Sequence, residues 1–521
     1  MRLASDVPSL LRFRWRLFWA FLAGAVLPVG FAPLDFWPVT ILSPAILLLL
    51  LIGQSAKRGF WIGYAFALGQ FGIGVSWVYL SLTLFGGAIA PIAALITLLF
   101  VGALALYGGL TTWLAVRAGG IDSHQPVSGR AFLWLSMAFI GSWAFVEWLR
   151  GWILSGFPWL DLGVAQVASP LGGYLPLFGE YGVTLIVLSL SVLLAWIGLE
   201  LRRRSGLGPQ IGVWVSVAGV VAILLAGMGL GRIQWTQPVG QPLLVGVAQA
   251  NVPQMQKFDP AFLNQTLHTY LALSDGIGAA DLVIWPETAI PDVLSDLDWF
   301  RQILDQRARD TGVDYLVGTF TQDRDGHYFN SLVGIPGRIG SHSKAHLVPF
   351  SEYMPLRPLM DLFSGLIDIP MSDLTPGAVD QPLPVVKGVR IGPSICYEAD
   401  FARDIRHDLP DAGILVNVSN DSWFGDSLAP HQNLQMAAVR AREFGRPLVR
   451  ATNTGISAFI DARGRPYETL GVDRQGFLKA DVQPYQGTTP FYHLQSWPII
   501  LLSVLLWGGA GLLRRRNPYR D

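Results

Sequence analysis

Two rhythms of apolar and polar residues divide this chain. Up to about residue 240, and again past residue 490, long apolar runs pass with little interrupting charge. Between those limits, short runs rich in β-branched residues alternate with amphipathic stretches. The eight long runs lie near residues 17–33, 37–53, 59–81, 88–115, 131–153, 177–199, 212–232 and 496–513. Each is close to the ~20 residues an α-helix needs to cross a hydrocarbon core of ~30 Å, although the first two are short and interrupted by proline. The pattern predicts a multi-span α-helical membrane bundle of eight transmembrane helices. It divides the chain into a seven-span domain over 1–235, a globular domain over 236–490, and an eighth helix with a basic tail over 491–521.

In the middle segment the short runs predict strands at Leu243–Ala250, Asp281–Trp285, Tyr315–Thr319, Ser331–Ile335, Val389–Ile395, Ile414–Val418, Pro447–Ala451 and Ser457–Asp461. Helical periodicity fills Asp259–Leu273, Asp296–Asp310 and His431–Phe444. Alternation of the two is the signature of an α/β domain, and about 250 residues suffice for one well-buried core.

Composition agrees with a membrane protein: 51% of residues are hydrophobic and 14% charged, with mean hydropathy +0.42. Charge is unevenly spread. Residues 240–490 hold 20 Lys and Arg against 29 Asp and Glu, and the remainder 17 against 8. An acidic globular region argues against nucleic acid as a partner, since phosphate binding needs a basic face. Apart from Arg150 and Arg232, which fall at or near helix ends, the basic residues elsewhere sit in alternate loops: Arg2 to Arg16, Lys57 and Arg58, Arg117 and Arg130, Arg202 to Arg204, and Arg514 to Arg516. By the positive-inside rule both termini are cytoplasmic and the globular domain lies outside, in the periplasm of a cell with two membranes. The first run follows a basic leader as a secretory signal would. With Pro28 and Pro33 after it, no A-x-A-like site and further spans at once, it reads as an uncleaved anchor.

The globular segment carries the single cysteine, Cys396, directly behind the strand-like run Val389–Ile395. A lone cysteine forms no internal disulfide, which leaves a packing thiol or a nucleophile. Two other strand ends carry chemistry. Pro286 stops the run before it and delivers Glu287 to a sheet edge, where ligands bind in open α/β folds. Lys344 precedes Ala345-His346-Leu347-Val348-Pro349-Phe350-Ser351-Glu352-Tyr353. A thiol with an ordinary pKa near 8.5 is mostly protonated at neutral pH, so a carboxylate that takes its proton, or an ammonium that steadies the thiolate, activates it. Glu287 fits the first role and Lys344 the second. Taken singly, each motif has a bland reading as buried thiol, turn or surface-to-core crossing; their co-occurrence in this order favours catalysis.

The three segments together resemble the Glu-Lys-Cys triad of the nitrilase superfamily, and the flanking apolar runs resemble its membrane-embedded branch, the apolipoprotein N-acyltransferases. The resemblance implies a nitrilase-like α-β-β-α sandwich and catalytic roles for Glu287, Lys344 and Cys396. It also implies accessory roles for Glu352, Tyr397 and Glu398. Ser351, where the family often has Gly, and His342, where it often has Tyr, depart from the pattern without touching the triad. The implied reaction moves the sn-1 acyl chain of a glycerophospholipid, preferentially phosphatidylethanolamine, onto Cys396 as a thioester. The α-amine of a diacylglyceryl-cysteine apolipoprotein then receives it. Exchange of ester for thioester for amide is downhill, so neither ATP nor a metal cofactor is implied. The alternatives are a membrane-anchored nitrilase-like amidohydrolase and, from another class, a transporter or receptor with an inactive nitrilase-like domain.

Further residues are candidates for handling lipid. Trp423 and Phe424 follow a strand in a turn-rich stretch that can act as a lid or simply pack. Tyr353 to Ile369, with Phe363 at its centre, interleaves apolar and acidic residues and reads either as an outer-leaflet segment or as core. Glu147, Trp148 and Arg150 lie in the fifth run, followed by Trp159. They can form an i, i+3 ion pair with an aromatic belt, or meet a phospholipid headgroup. His342 and His346 are four apart, but no H-E-x-x-H motif exists and no metal site is expected.

Overall fold

The computed structural model describes residues 13–84, 86–121, 128–202, 211–349, 351–353 and 373–515. The chain forms two compact units. The first draws on Met1–Ser76, Pro91–Ile233 and His493–Asp521, the second on Trp77–Ala90 and Gln234–Tyr492.

Every long apolar run is helical. In chain order the helices are α1 (Phe13–Val26), α2 (Val39–Leu51), α3 (Ala56–Gly74), α4 (Trp77–Leu84), α5 (Ala90–Gly119), α6 (Gly129–Arg150), α7 (Leu175–Arg202), α8 (Ile211–Leu230) and, after the second unit, Trp497–Arg515. Five stretches among the described residues are long and apolar enough to cross a membrane, and α3 with α4 makes a sixth if counted as one broken span. Helices α1 and α2 have 14 and 13 residues. At 1.5 Å per residue they extend only ~20 Å, short of a hydrocarbon core. Proline is the cause at that end of the chain: Pro28 opens a tight turn after α1, Pro38 stands before α2 and Pro44 lies inside it.

The first unit buries polar side chains within an apolar interior and exposes large apolar ones, unlike a soluble bundle. On α5, Leu95, Leu98, Leu99 and Leu106 are more than half exposed, while Gln70, Thr112, Glu147, Arg150, Asp161 and Thr184 are buried. Where α1 crosses α3, a Cβ on Gly24 would stand 1.8 Å from the Phe66 carbonyl oxygen. Only a residue without one lets the backbones meet, as is common between membrane helices.

In the second unit two six-stranded sheets stack face to face. The first runs in the order β13 (Gly476–Val482), β2 (Leu243–Gln249), β3 (Leu282–Trp285), β4 (Asp314–Gln322), β5 (Tyr328–Ile335), β6 (Ser341–Ser343). The second runs β12 (Pro466–Leu470), β11 (Ser457–Ile460), β10 (Leu448–Thr452), β9 (Ile414–Ser419), β8 (Val389–Ile395), β7 (Val385–Val386). A short pair, β1 (Gln237–Pro238) and β14 (Tyr485–Gln486), joins the two ends of the unit. The centres are parallel: β2, β3 and β4 in one sheet, β8, β9 and β10 in the other. Val245, Ile284 and Leu316 of the first sheet share one core with Ile391, Val416 and Phe459 of the second. Helices α10 (Pro260–Ile277) and α11 (Asp298–Thr311) cover the outer face of the first sheet through Tyr270, Phe300 and Leu304 around Trp285. The helix Ala429–Phe444 covers the second. The layers are α-β-β-α.

The eight strands read from the sequence are all present with ends shifted by a few residues. Strands β12 and β13 were not read, because both are edge strands, β12 exposed along nearly its whole length and β13 at alternate positions. Their exposed positions carry Glu468, Lys479 and Asp481, which blur the alternation. Residues Trp77–Ala90 pack with the second unit: the Trp77 ring lies edge-on to Phe424 at 4.8 Å, and Leu84 approaches Gly425.

Candidate active site

Parallel strands deliver their carboxyl ends to one side of a sheet, and in this unit both sheets do so at the same place. After β3, Pro286 ends the ladder and Glu287 turns inward; the next residue, Thr288, has φ +51°. The turn lies directly over β4, where a Cβ at Gly318 would stand 2.1 Å from the Pro286 carbonyl oxygen. Glu287 is buried, accepting from Asn330 Nδ2 at 2.8 Å and from the backbone N–H of Asn420, at the end of β9, at 2.8 Å.

Lys344 follows β6 and is 1% exposed. Its Nζ lies 2.9 and 2.8 Å from the two oxygens of Glu352 and 3.7 Å from Glu287 Oε1. Glu352 also accepts from Asn330 Nδ2 at 3.0 Å and from the Val348 N–H at 2.8 Å. Burial opposes the Lys344 charge, but Glu352, Cys396 and Glu287 overcome it and hold the ammonium above its ordinary range. Glu352 is thus the direct partner of Lys344, and Asn330 bridges the two carboxylates.

Cys396 follows β8 with φ +53°, a conformation rare outside glycine that marks a sharp turn at the strand end. Its side chain is half-buried against the core between the sheets. Burial and then Glu287 push the thiol pKa up, with Lys344 opposing. The resting group is therefore a thiol. Activation then falls to proton removal as a carbonyl approaches.

Glu398 binds the two loops together. Its Oε1 accepts from the Ala345 and His346 N–H groups at 2.7 and 3.2 Å, and its Oε2 from the Ile395 N–H at 2.7 Å. Tyr397 lies in an aromatic group, edge-on to His346 at 5.4 Å and to Phe401 at 4.9 Å.

Four polar residues near the site were not singled out from the sequence. Asn330 and Asn420 orient Glu287 as described. Lys257, 2% exposed at the end of α9 (Gln254–Lys257), donates from Nζ to the Glu287 carbonyl oxygen at 3.0 Å. Burial lowers its pKa to about 7, opposed by Glu287 and Cys396. Asp421, buried beside Arg450 at 3.0 Å, acts on the Cys396 thiol from the second sheet. Asn420 and Asp421 lie in the turn-rich stretch after Val418 that the sequence offers as a border of the site; Asn330 and Lys257 carry no such signal.

The arrangement suits attack by a thiol on a carbonyl carbon, with a carboxylate to take the proton and a fixed ammonium for the oxyanion. The chain matches the model of the apolipoprotein N-acyltransferase N-terminal domain over residues 23–193 and that of the carbon-nitrogen hydrolases over residues 244–489. An apolipoprotein N-acyltransferase of Methylococcus capsulatus is 40% identical over 502 residues, 96% of each chain. This chain belongs to the apolipoprotein N-acyltransferase family. The apolipoprotein N-acyltransferase of Pseudomonas aeruginosa PAO1 is 36% identical, covering 94% of this chain and 95% of its own. That of Vibrio cholerae is 36% identical over 95% and 96%.

As a member of the apolipoprotein N-acyltransferase family, the chain places its lipid-handling candidates unevenly. Phe363, with most of Tyr353 to Ile369, lies outside the described residues. Arg150 is fully engaged: it pairs with buried Asp161, donates to the Trp159 carbonyl and lies over the Phe71 ring at 5.0 Å. The sequence offered Glu147 as its partner. Glu147 instead accepts from Trp143 Nε1 at 3.0 Å and from Thr184. Trp159 is buried and stacked on Phe157 at 5.1 Å. Trp148 is half-buried, 5.8 to 6.4 Å from the rings of Phe145, Trp152 and Trp497. Trp423 and Phe424 are half-buried in the turn after β9, Phe424 against Trp77.

Proposed function

We propose that this protein completes lipoprotein acylation by a two-step transfer through Cys396. In the first step the Cys396 sulfur attacks the sn-1 ester carbonyl of a glycerophospholipid, preferentially phosphatidylethanolamine, as Glu287 takes the thiol proton. The C–O bond breaks, the proton passes to the departing alkoxide, and a lysophospholipid leaves behind a thioester. In the second step the α-amine of a diacylglyceryl-cysteine apolipoprotein attacks the thioester carbonyl. The C–S bond breaks, Glu287 relays the amine proton to the sulfur, and the triacylated product departs. Lys344, held by Glu352, faces the oxyanion in both steps.

The observation that carries this reading is the convergence of Glu287, Lys344 and Cys396 in one buried site at the sheet ends. Support for the acyl donor comes from the apolar outward faces of the first unit, which place the chain in a bilayer. The apolar helices then form eight spans, α3 with α4 making one and α1 and α2 being short ones. The termini lie in the cytoplasm and residues 236–490 in the periplasm, against the outer leaflet of the inner membrane. Purified protein given phosphatidylethanolamine and a diacylglyceryl peptide is expected to yield the N-acyl peptide and lysophospholipid in equal amounts, and Cys396→Ala neither. Free fatty acid in place of the amide would assign an amidohydrolase-like reaction instead.

A further inference from the structure

Glu398 is a single buried carboxylate shared between the loops that carry Lys344 and Cys396. Its bonds run to the two residues after Lys344 and to the residue before Cys396, so its placement sets the distance between ammonium and thiol. Among the described residues, one side chain bonds to it in turn. His342, 9% exposed on β6 and two residues before Lys344, places Nε2 at 3.3 Å from Glu398 Oε2. We propose that His342 is a positioning residue that fixes Glu398, and through it the spacing of Lys344 and Cys396, most firmly while its imidazole is protonated. The proposal rests on reading Cys396 as the acyl-carrying nucleophile.

Charge and geometry agree on this role. Burial works against an imidazolium here, but the bond and charge of Glu398, with Asp408 beyond it, overcome that penalty and raise the His342 pKa above its ordinary 6.5. Glu398 is held below the usual carboxylate range: burial opposes this, and His342, the Ile395 N–H and Lys344 outweigh it. Asp408 is pushed up to about 7 by burial, with His342 opposing and Glu398 adding. The titratable groups that act on His342 are therefore Glu398 from the turn after β8 and Asp408, mostly charged only above about 7, from the segment following the short helix Ala402–Arg406. Lys344 acts on the same carboxylate from the end of β6. Asp404, close by in sequence, is taken by His346 at 2.6 Å. A raised histidine pKa means that the pair is complete below about 6.5 and is lost as pH rises through the raised value. Above that range the neutral imidazole keeps at most a single Nε2–H bond to Glu398 and loses its charge, so the carboxylate that links the two loops is held less firmly, by its three backbone N–H donors.

The test compares the wild type with His342→Gln, whose amide donates a hydrogen bond at any pH, and His342→Phe, which donates none. Two rates are followed from pH 5.5 to 9 on the full-length protein in detergent: alkylation of Cys396 by iodoacetamide, and acyl-enzyme formation from phosphatidylethanolamine in mixed micelles. Because Cys396 is the one thiol in the chain, alkylation reads the loop geometry without any lipid chemistry. The ratio of wild-type to His342→Gln rate is expected to fall at least fivefold between pH 6 and 9 in both assays, and His342→Phe to be slowed at least tenfold at pH 6. A ratio that stays constant across the range overturns the proposal, whatever happens to His342→Phe. Loss of acylation in all three proteins, with the pH-dependent alkylation ratio intact, would instead overturn the acyl-transfer reading and leave the positioning role standing.

Discussion

Lys257 gives a prediction in which stability and activity move in opposite directions. Its ammonium is buried against the Glu287 carbonyl, and burial lowers its pKa from 10.5 to about 7. A displacement of about 3.5 pH units, at 1.36 kcal/mol each, means that keeping the charge inside costs about 5 kcal/mol below pH 7. Lys257→Met removes that cost but leaves the Glu287 carbonyl without its buried donor, a loss of about 1–3 kcal/mol. The variant is therefore expected to be about 2–4 kcal/mol more stable than wild type at pH 6. Between pH 7 and 10.5 the unfolded chain holds a proton that the folded one has released, so raising the pH stabilises the wild type. By pH 9 it has recovered about 3 kcal/mol, and the variant's advantage is nearly gone. Thermal unfolding in detergent, followed by intrinsic fluorescence, is expected to show a higher Tm for Lys257→Met at pH 6 and nearly equal values at pH 9. At roughly 2–4 °C per kcal/mol for a domain of this size, the shift is easily read. Activity is expected to fall about tenfold, since Glu287 is no longer tied at its backbone. A variant less stable than wild type by the same amount at both pH values would refute the reasoning, because Lys257 would then be a well-paired cation.

Other substitutions separate the parts of the site. Asn330→Leu removes one amide from two buried carboxylates at once, and acyl transfer is expected to drop 10- to 100-fold, in line with about 1.5–3 kcal/mol for a hydrogen bond to a charged group. Full activity in this variant would show that Lys344 with the Asn420 and Val348 N–H groups suffices to keep Glu287 and Glu352 in place. Lys344→Met is expected to raise the barrier by roughly 3–4 kcal/mol, the cost of one oxyanion donor, with Glu287→Gln slowing both half-reactions in single-turnover assays. If either variant slows only one half-reaction, the shared roles given above are wrong. A membrane-impermeant maleimide should label Cys396 from the outer face of spheroplasts, and labelling confined to inverted vesicles would reverse the topology.

Much of this was legible in the sequence because strand ends announce themselves. Pro286 stops a ladder just before Glu287, and the single cysteine follows a β-branched run, so both were located without a structure. The apolar runs gave the position of each helix but not whether it spans. That depends on how far proline shortens α1 and α2, and on the break that sends α4 to pack against the turn after β9. The edge strands β12 and β13 were hidden because solvent-facing positions, nearly all of β12 and alternate ones of β13, break the apolar pattern. Glu352 and Glu398 were assigned to the site by resemblance, and the structure gives their physical tasks: one pairs Lys344, the other links two loops. The contributions of Asn330, Asn420 and Lys257 could not be read, because each depends on contacts between segments 30 to 133 residues apart. The pairing of Arg150 was mistaken for a local one; Asp161, eleven residues on, outcompetes Glu147, which Trp143 and Thr184 satisfy.

The central claim is that Cys396 carries the acyl group between donor and acceptor. Intact-mass measurement of the purified protein after incubation with phosphatidylethanolamine alone tests it most directly. The account predicts a mass increase of one acyl chain, located on Cys396, released by neutral hydroxylamine, absent in Cys396→Ala and discharged as an amide when a diacylglyceryl peptide is added. An unmodified Cys396 in protein that still produces the N-acyl peptide would contradict it.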